Sequence, residues 1–296
     1  MREATANGSP FDSTIPRVRV KPLACLLIAA SLAFLPSCST PATHESDPLR
    51  LVGTWRVLDT GERLAPFVSI GDVGLRLWTS CGSLFGDWRT NQQGMFVAEL
   101  SGGDQSCFLG PKTQANLNPT WLTGATAYRQ AGGDELLLDG SGRTLARLVP
   151  ARVPRALSKG VFVGYLHPVV TSALRKFLLQ SNSPLPNGLL SAVRKQLLGR
   201  WVPADRAQDH RNQPPYLSFS ADGTWSGSDG CNGLGGRWNA GGSGALIVAS
   251  GGSTLIGCNN VEVGEWLSKA TQAGFQGRTL VLVDAAGHVT GRLRRA

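Results

Sequence analysis

The chain has 296 residues, of which 42% are hydrophobic and only 17% charged, with 37 glycines and a formal net charge of +9. That length has room for two ordinary domains, and the glycine-rich, charge-poor make-up excludes a coiled coil or a disordered chain in favour of a turn-rich β protein. After residue 40 no apolar run reaches the roughly 20 residues of a membrane-spanning helix.

The strongest apolar run comes first. Arg17, Arg19 and Lys21 precede Leu23–Leu35, followed by Pro36, Ser37 and Cys38. A basic region, a short apolar region and small residues before a cut site predict a secretory signal over residues 1–37. Residues 1–16 lengthen the polar part beyond need, so a start near Val18 or Val20 is expected. The tetrapeptide Leu35-Pro36-Ser37-Cys38 resembles a bacterial lipobox, which implies lipidation (palmitate among the acyl chains) of Cys38; a plain signal cleaved nearby is the alternative. Residues 38–49 are polar and read as a flexible tether.

Two later stretches repeat one another. Leu51-Val52-Gly53-Thr54-Trp55 matches Leu197-Leu198-Gly199-Arg200-Trp201, and Cys81, Gly86 and Trp88 match Cys231, Gly236 and Trp238. Trp121–Thr126 matches Trp266–Thr271, Leu136–Asp139 matches Val281–Asp284, and Gly142 matches Gly287. Matches in one order at a period near 150 predict a duplicated domain, at 50–150 and 197–296.

The second copy is the clearer. Leu217–Ser220 alternates as a strand, Ala221-Asp222-Gly223 marks a hairpin turn, and Thr224–Ser226 continues it. The stretch Thr224–Trp238 packs five glycines around Cys231, which predicts a tight strand reversal. Arg237–Asn239 and Ala245–Ala249 read as strands. Val261, Glu265, Trp266, Ala270 and Ala273 fit a short amphipathic helix closing at Gly274. Thr279–Asp284 and His288–Leu293 form a final hairpin. The fold class is α+β, mostly β, with each copy a curved antiparallel meander carrying one short helix before its last hairpin.

Cys81, Cys107, Cys231 and Cys258 remain after the signal. An even number in an exported chain implies disulfides, and four cysteines allow three pairings. Because each copy carries one pair at similar spacing, Cys81–Cys107 and Cys231–Cys258 are expected. Each closes a loop of about 26 residues, worth about 3–4 kcal/mol. A zinc site is the rival reading, but there is no C-x2-C pair and no histidine close to the cysteines.

The second copy resembles the META domain of the bacterial heat-inducible lipoprotein-like HslJ proteins. The family's G-x-x-G-C-N turn stands as Gly227-Ser228-Asp229-Gly230-Cys231-Asn232, and its downstream element as Ser253, Thr254 and Cys258. In the first copy Gly82 replaces Asn232 and Leu77–Ser80 replace the preceding glycines, so 50–150 is read as a divergent META-like domain by inference through the second copy. The resemblance implies a curved sheet with one packed helix, often in bacterial envelope proteins, and no established catalysis.

Residues 151–196 belong to neither copy. They hold Arg152, Arg155, Lys159, Arg175, Lys176, Arg194 and Lys195 and no acidic residue. Pro168–Leu179 and Leu189–Leu198 have helical apolar spacing. The plain reading is a pair of helices packed on the sheets with a solvated basic face; the sharper one lays that face on anionic lipid or a wall polymer. Nucleic acid is not expected of an exported chain.

His44, His167, His210 and His288 are scattered, and no nucleophile elbow or phosphate loop is present. Asp229 beside Asn232 is read as an Asx turn rather than a cation site. Trp55, Trp201, Trp225 and Trp238 are read as core. No catalytic, cofactor-binding or metal-binding constellation emerges. The chain is expected to be a non-enzymatic, lipid-anchored binding or stress-related protein of a bacterial cell envelope, on the outer face of the cytoplasmic membrane or in the periplasm, also engaging a protein partner the sequence does not identify. The alternative is a carrier or sensor of a small apolar ligand held within the curved sheet.

Overall fold

Strands form where apolar and polar residues alternate between glycine turns, and two separate sheets result. In the first, β1 (Gly53–Leu58), β2 (Phe67–Gly71), β3 (Gly74–Thr79), β4 (Gly82–Thr90) and β5 (Phe96–Gly103) run as a meander. A short helix, α1 (Thr120–Thr123), then leads to β6 (Ala127–Ala131), β7 (Asp134–Leu138) and β8 (Thr144–Pro150). Strand β8 returns to pair with β1, giving the order 5-4-3-2-1-8-7-6, all antiparallel. The computed structural model describes residues 46–62, 64–80, 82–104, 119–205, 214–254, 256–257 and 260–296. Residues 44–296 form one compact unit, so the two sheets share it. The predicted signal, Cys38, Cys81, Cys107, Cys258, His44 and His210 lie outside the described residues.

The second sheet repeats this plan. Its strands are β10 (Gly199–Pro203), β11 (Tyr216–Phe219), β12 (Thr224–Ser228), β13 (Gly233–Ala240), β14 (Leu246–Ser250), β15 (Gln272–Gln276), β16 (Thr279–Val283) and β17 (Val289–Arg295). The order is 14-13-12-11-10-17-16-15, strand for strand that of the first sheet. A two-residue strand, β9 (Leu190–Ser191), extends the edge at β15.

Both sheets curl until their ends nearly meet. Met95 bridges Ala127 in the first and Ala245 bridges Gln272 in the second. A small, almost closed sheet is filled by its own side chains. Trp55, Trp88, Trp121, Phe96 and Ile70 fill the first interior, and Trp201, Trp225, Trp238, Phe219 and Leu282 the second, all 6% exposed or less.

Matching residues do matching work. The indoles of Trp55 and Trp201 donate to the carbonyls of Leu51 and Leu197, four residues upstream. Those of Trp88 and Trp238 donate to Gly71 and Ser220. The carboxylates of Asp139 and Asp284 accept the amides two and four residues ahead, closing the β7–β8 and β16–β17 hairpins, with Gly142 and Gly287 at positive φ. At Gly86 and Gly236 a Cβ would overlap the carbonyl oxygens of Glu99 and Ala249, so only glycine fits.

Two expectations need correction. The helix Val263–Lys269 ends before Ala273 and Gly274, the residues expected to close it, and these lie in β15. Pairing with β16 and β9 outweighs their helical spacing, so three strands rather than a hairpin follow the helix. The basic segment carries α2 (Val163–Leu166), α3 (Ser172–Leu178) and the start of α4 (Arg194–Leu197), while α5 (Val263–Lys269) lies between β14 and β15. The predicted helix over Leu189–Leu198 is therefore reduced to the single turn α4, because Leu190 and Ser191 are drawn into the sheet.

The sheets pack through equivalent outer faces. Met95 and Val97 of the first half meet Ala245, Ile247 and Ala249 of the second in one buried apolar cluster. Around it, Arg237 faces Glu99 at 3.5 Å, Asp87 accepts the Ser250 amide, and the Asn239 carboxamide donates to the Thr126 carbonyl.

Candidate functional site

The motif turn joins β12 to β13 over Asp229–Asn232. Gly230 takes φ +103°, a conformation open to glycine. The Asp229 carboxylate accepts four N–H groups: the amides of Cys231 (2.7 Å) and Asn232 (2.6 Å) on Oδ1, and the carboxamides of Asn232 (3.1 Å) and Asn260 (2.8 Å) on Oδ2. Burial would raise its pKa, but these hydrogen bonds outweigh that and hold it below the usual carboxylate range. The Asx-turn reading describes this arrangement.

Asn232 reaches the other way. Its Nδ2 also donates to the Ile256 carbonyl, and its Oδ1 accepts the Ile256 amide (2.6 Å) and the Thr254 hydroxyl (2.9 Å). The Asp229 carbonyl accepts the Val261 amide. The turn thus clasps Thr254, Ile256, Asn260 and Val261, ahead of α5. Cys231 sits buried at its centre, while its expected partner Cys258 lies outside the described residues. Sequence reasoning missed Asn260, whose only signal was its place two residues after a motif cysteine.

The first sheet solves the same reversal differently. The Thr79 hydroxyl donates to the Gly82 carbonyl, and the Ser83 amide and hydroxyl donate to Asp104. Among the described residues, the clasp built on Asp229 and Asn232 occurs in the second half alone.

Beside the clasp, Trp225, Leu234, Asn260, Glu262 and Glu265 line an open cavity of about 350 Å³. Glu265 is held by Lys269, which lowers its pKa. Asp229 is committed to structural amides and no group of three or more metal-ligating side chains occurs among the described residues. The interior of each sheet, the expected seat of an apolar ligand, is occupied by tryptophan, phenylalanine and aliphatic side chains.

The basic residues of 151–196 divide. Arg194 is not part of a free basic face: its guanidinium lies 4.4 Å from the Trp238 ring centroid and donates to Asn239 and to the Ala221 carbonyl. Burial lowers its pKa, with Asp222 opposing. Arg152, Arg155, Lys159, Arg175, Lys176 and Lys195 are exposed and form no ion pair among the described residues. Leu174 and Leu178 of α3 pack into the first core. His167 and His288 are exposed. No described helix is long and apolar enough to cross a membrane.

Comparison with curated proteins finds no match, and neither does comparison with solved structures. Against family models the outcome is definite: residues 195–296 are a META domain.

Proposed function

We propose that the chain is a non-enzymatic binding protein of the bacterial cell envelope, exported by its signal and lipidated at Cys38. In this reading the first half is a diverged META-type domain, supported by its identical strand order and by the paired roles of Trp55 and Trp201 and of Gly86 and Gly236. Disulfides Cys81–Cys107 and Cys231–Cys258 would staple one loop in each half, the second reinforcing the clasp around Asn232.

One observation carries the functional reading. The segment that holds the unpaired basic residues also exposes Phe162 (60%), Val163 (61%), Val169 (60%) and Phe177 (47%). Cationic side chains among exposed apolar ones suit an anionic lipid surface, where each Lys or Arg contributes about 1 kcal/mol and apolar groups enter the headgroup region. A lipid anchor at the end of a short tether would hold that surface close to the bilayer.

Sedimentation of the full chain with anionic vesicles tests it, using a Cys38→Ser form to remove the anchor. Changing Arg175, Lys176 and Lys195 to Glu should abolish most binding, and added salt should weaken it. Equal sedimentation of wild type and variant would end the reading. Arg194 is excluded from the set because its loss would disturb Trp238.

A further inference from the structure

The bridge that nearly closes each sheet is built from different residues in the two halves. Where the first has Ala127 opposite Met95, the second has Gln272 opposite Ala245. The fold needs no polar group at this place, as the first half shows. Yet Gln272 is only 6% exposed, and its carboxamide oxygen is buried with no hydrogen-bond partner. An unmatched amide at a strand end is a standing cost that a ligand can remove.

Gln272 lines a cavity of about 430 Å³ between the β4–β5 loop, the β13–β14 loop and residues 180–185. Ten of its thirteen lining residues carry a side-chain amide or hydroxyl, and none is charged. In a chain of net charge +9 this neutrality is a marked local departure. Much of the hydrogen-bonding capacity is unspent. Gln93, Gln180 and Ser243 make no side-chain hydrogen bond among the described residues, while Gln92 and Asn182 each donate to one carbonyl and keep their own oxygens free.

The lining selects the chemistry. A charged ligand would meet no counterion, and an apolar one would strand the amides. Groups that both donate and accept without charge, as sugar hydroxyls do, match amides and hydroxyls on every side. The volume falls in the range of ordinary small-molecule sites. An adjoining cavity, which unlike the cleft also carries the charged Arg89, Lys269 and Asp284, shares Asn91, Gln180 and Asn182 and presents the half-exposed Phe177 ring, an apolar face for the C–H side of a pyranose. Rotation about the last torsion of Gln272, which is soft, turns its carboxamide toward an occupant.

We propose that this cleft binds a neutral oligosaccharide. The amide-lined cleft itself is separate from the membrane-docking surface, because none of the seven basic residues of 151–196 and none of the exposed apolar residues named with them lines it; only the Phe177 ring of the adjoining cavity belongs to both.

Titration calorimetry of the full chain with tri-N-acetylchitotriose and with maltotriose tests it, with oligogalacturonate as the acidic counterpart. One neutral trisaccharide should bind, and both Gln272→Leu and the surface pair Gln180→Ala with Asn182→Ala should weaken it at least about tenfold. Gln272→Leu should not lower the melting temperature, since it removes an unmatched polar group. Co-sedimentation with peptide-free wall glycan, lost in the same variants, would point to a polymer as the source; binding of the trisaccharide alone would point to a free sugar. No binding of either neutral sugar at about 10 mM, stronger binding of the acidic one in the same cleft, or variants that bind as the wild type does would each overturn the proposal. The surface pair keeps the test valid should Gln272→Leu fail to fold.

Discussion

The indole nitrogen of Trp201 donates to the carbonyl oxygen of Leu197 across 2.7 Å, inside a core where both residues are 1% exposed. The bond fixes the first strand of the second sheet to the turn α4 that leads into it. Trp201→Phe would leave the carbonyl unmatched and open a small cavity. We expect a loss of about 2–3 kcal/mol by denaturant unfolding, and a comparable loss for Trp55→Phe, whose bond to Leu51 spans the same four residues at 3.1 Å.

Glycine is compulsory at two equivalent places. Gly86→Ala and Gly236→Ala should each cost at least about 3 kcal/mol or prevent folding, since the added carbon meets backbone. Gly233→Ala is the control: nothing lies within 4 Å of its Cβ, and its melting temperature should shift little.

The Asp229 clasp predicts an acid sensitivity. Its folded-state pKa is depressed, so its contribution is present above the unfolded pKa of about 3.9 and is lost as pH falls through the folded value. Asp229→Asn should cost about 1–3 kcal/mol at pH 7 through the lost charge-assisted bonds. The difference from wild type should narrow below about pH 4 in pH-resolved unfolding.

Glu135 should behave oppositely. It is 1% exposed, one of its oxygens has no partner, and Arg50 holds the other at 2.8 Å. Burial raises its pKa while Arg50 opposes the rise. Removing the arginine leaves an uncompensated buried charge, so Arg50→Ala should cost about 2–4 kcal/mol at pH 7. A raised folded pKa means stability is lost as pH rises through it, so the penalty should shrink as pH falls and the carboxyl protonates. A penalty independent of pH would show that packing of the arginine stem is responsible instead.

Local chemistry made much of the second half legible. The turn Ala221-Asp222-Gly223 bends as its residues demand, with Gly223 at φ +81° and Asp222 accepting the Thr224 amide. The same holds at Asp284 and Gly287. Pattern misled where two readings were locally equal. Ala273 continues the spacing of Trp266 and Ala270 but is claimed by a strand partner, and Leu190 is claimed by Phe275. Such choices rest on pairing between distant segments. The motif turn could be read because its capping groups lie within four residues. Its tie to Asn260 could not, nor could the amide-lined cleft, which gathers Gln93, Asn182 and Gln272 from three regions with no common pattern.

The contact between the halves has a consequence for what each may become. Two identical subunits meeting about a twofold axis must be self-complementary, residue by residue. Here structurally equivalent positions differ: Met95 against Ala245, Val97 against Ile247, Asp87 against Arg237, Glu99 against Ala249. The ion pair of Arg237 with Glu99 has no mirror image, because the counterpart positions hold Asp87 and Ala249. A long methionine can sit where its counterpart is an alanine. Covalent linkage lets bulk and charge be placed on one side only, and halves freed from symmetry can carry an apolar residue at a place in one, Ala127, and a polar one such as Gln272 at that place in the other.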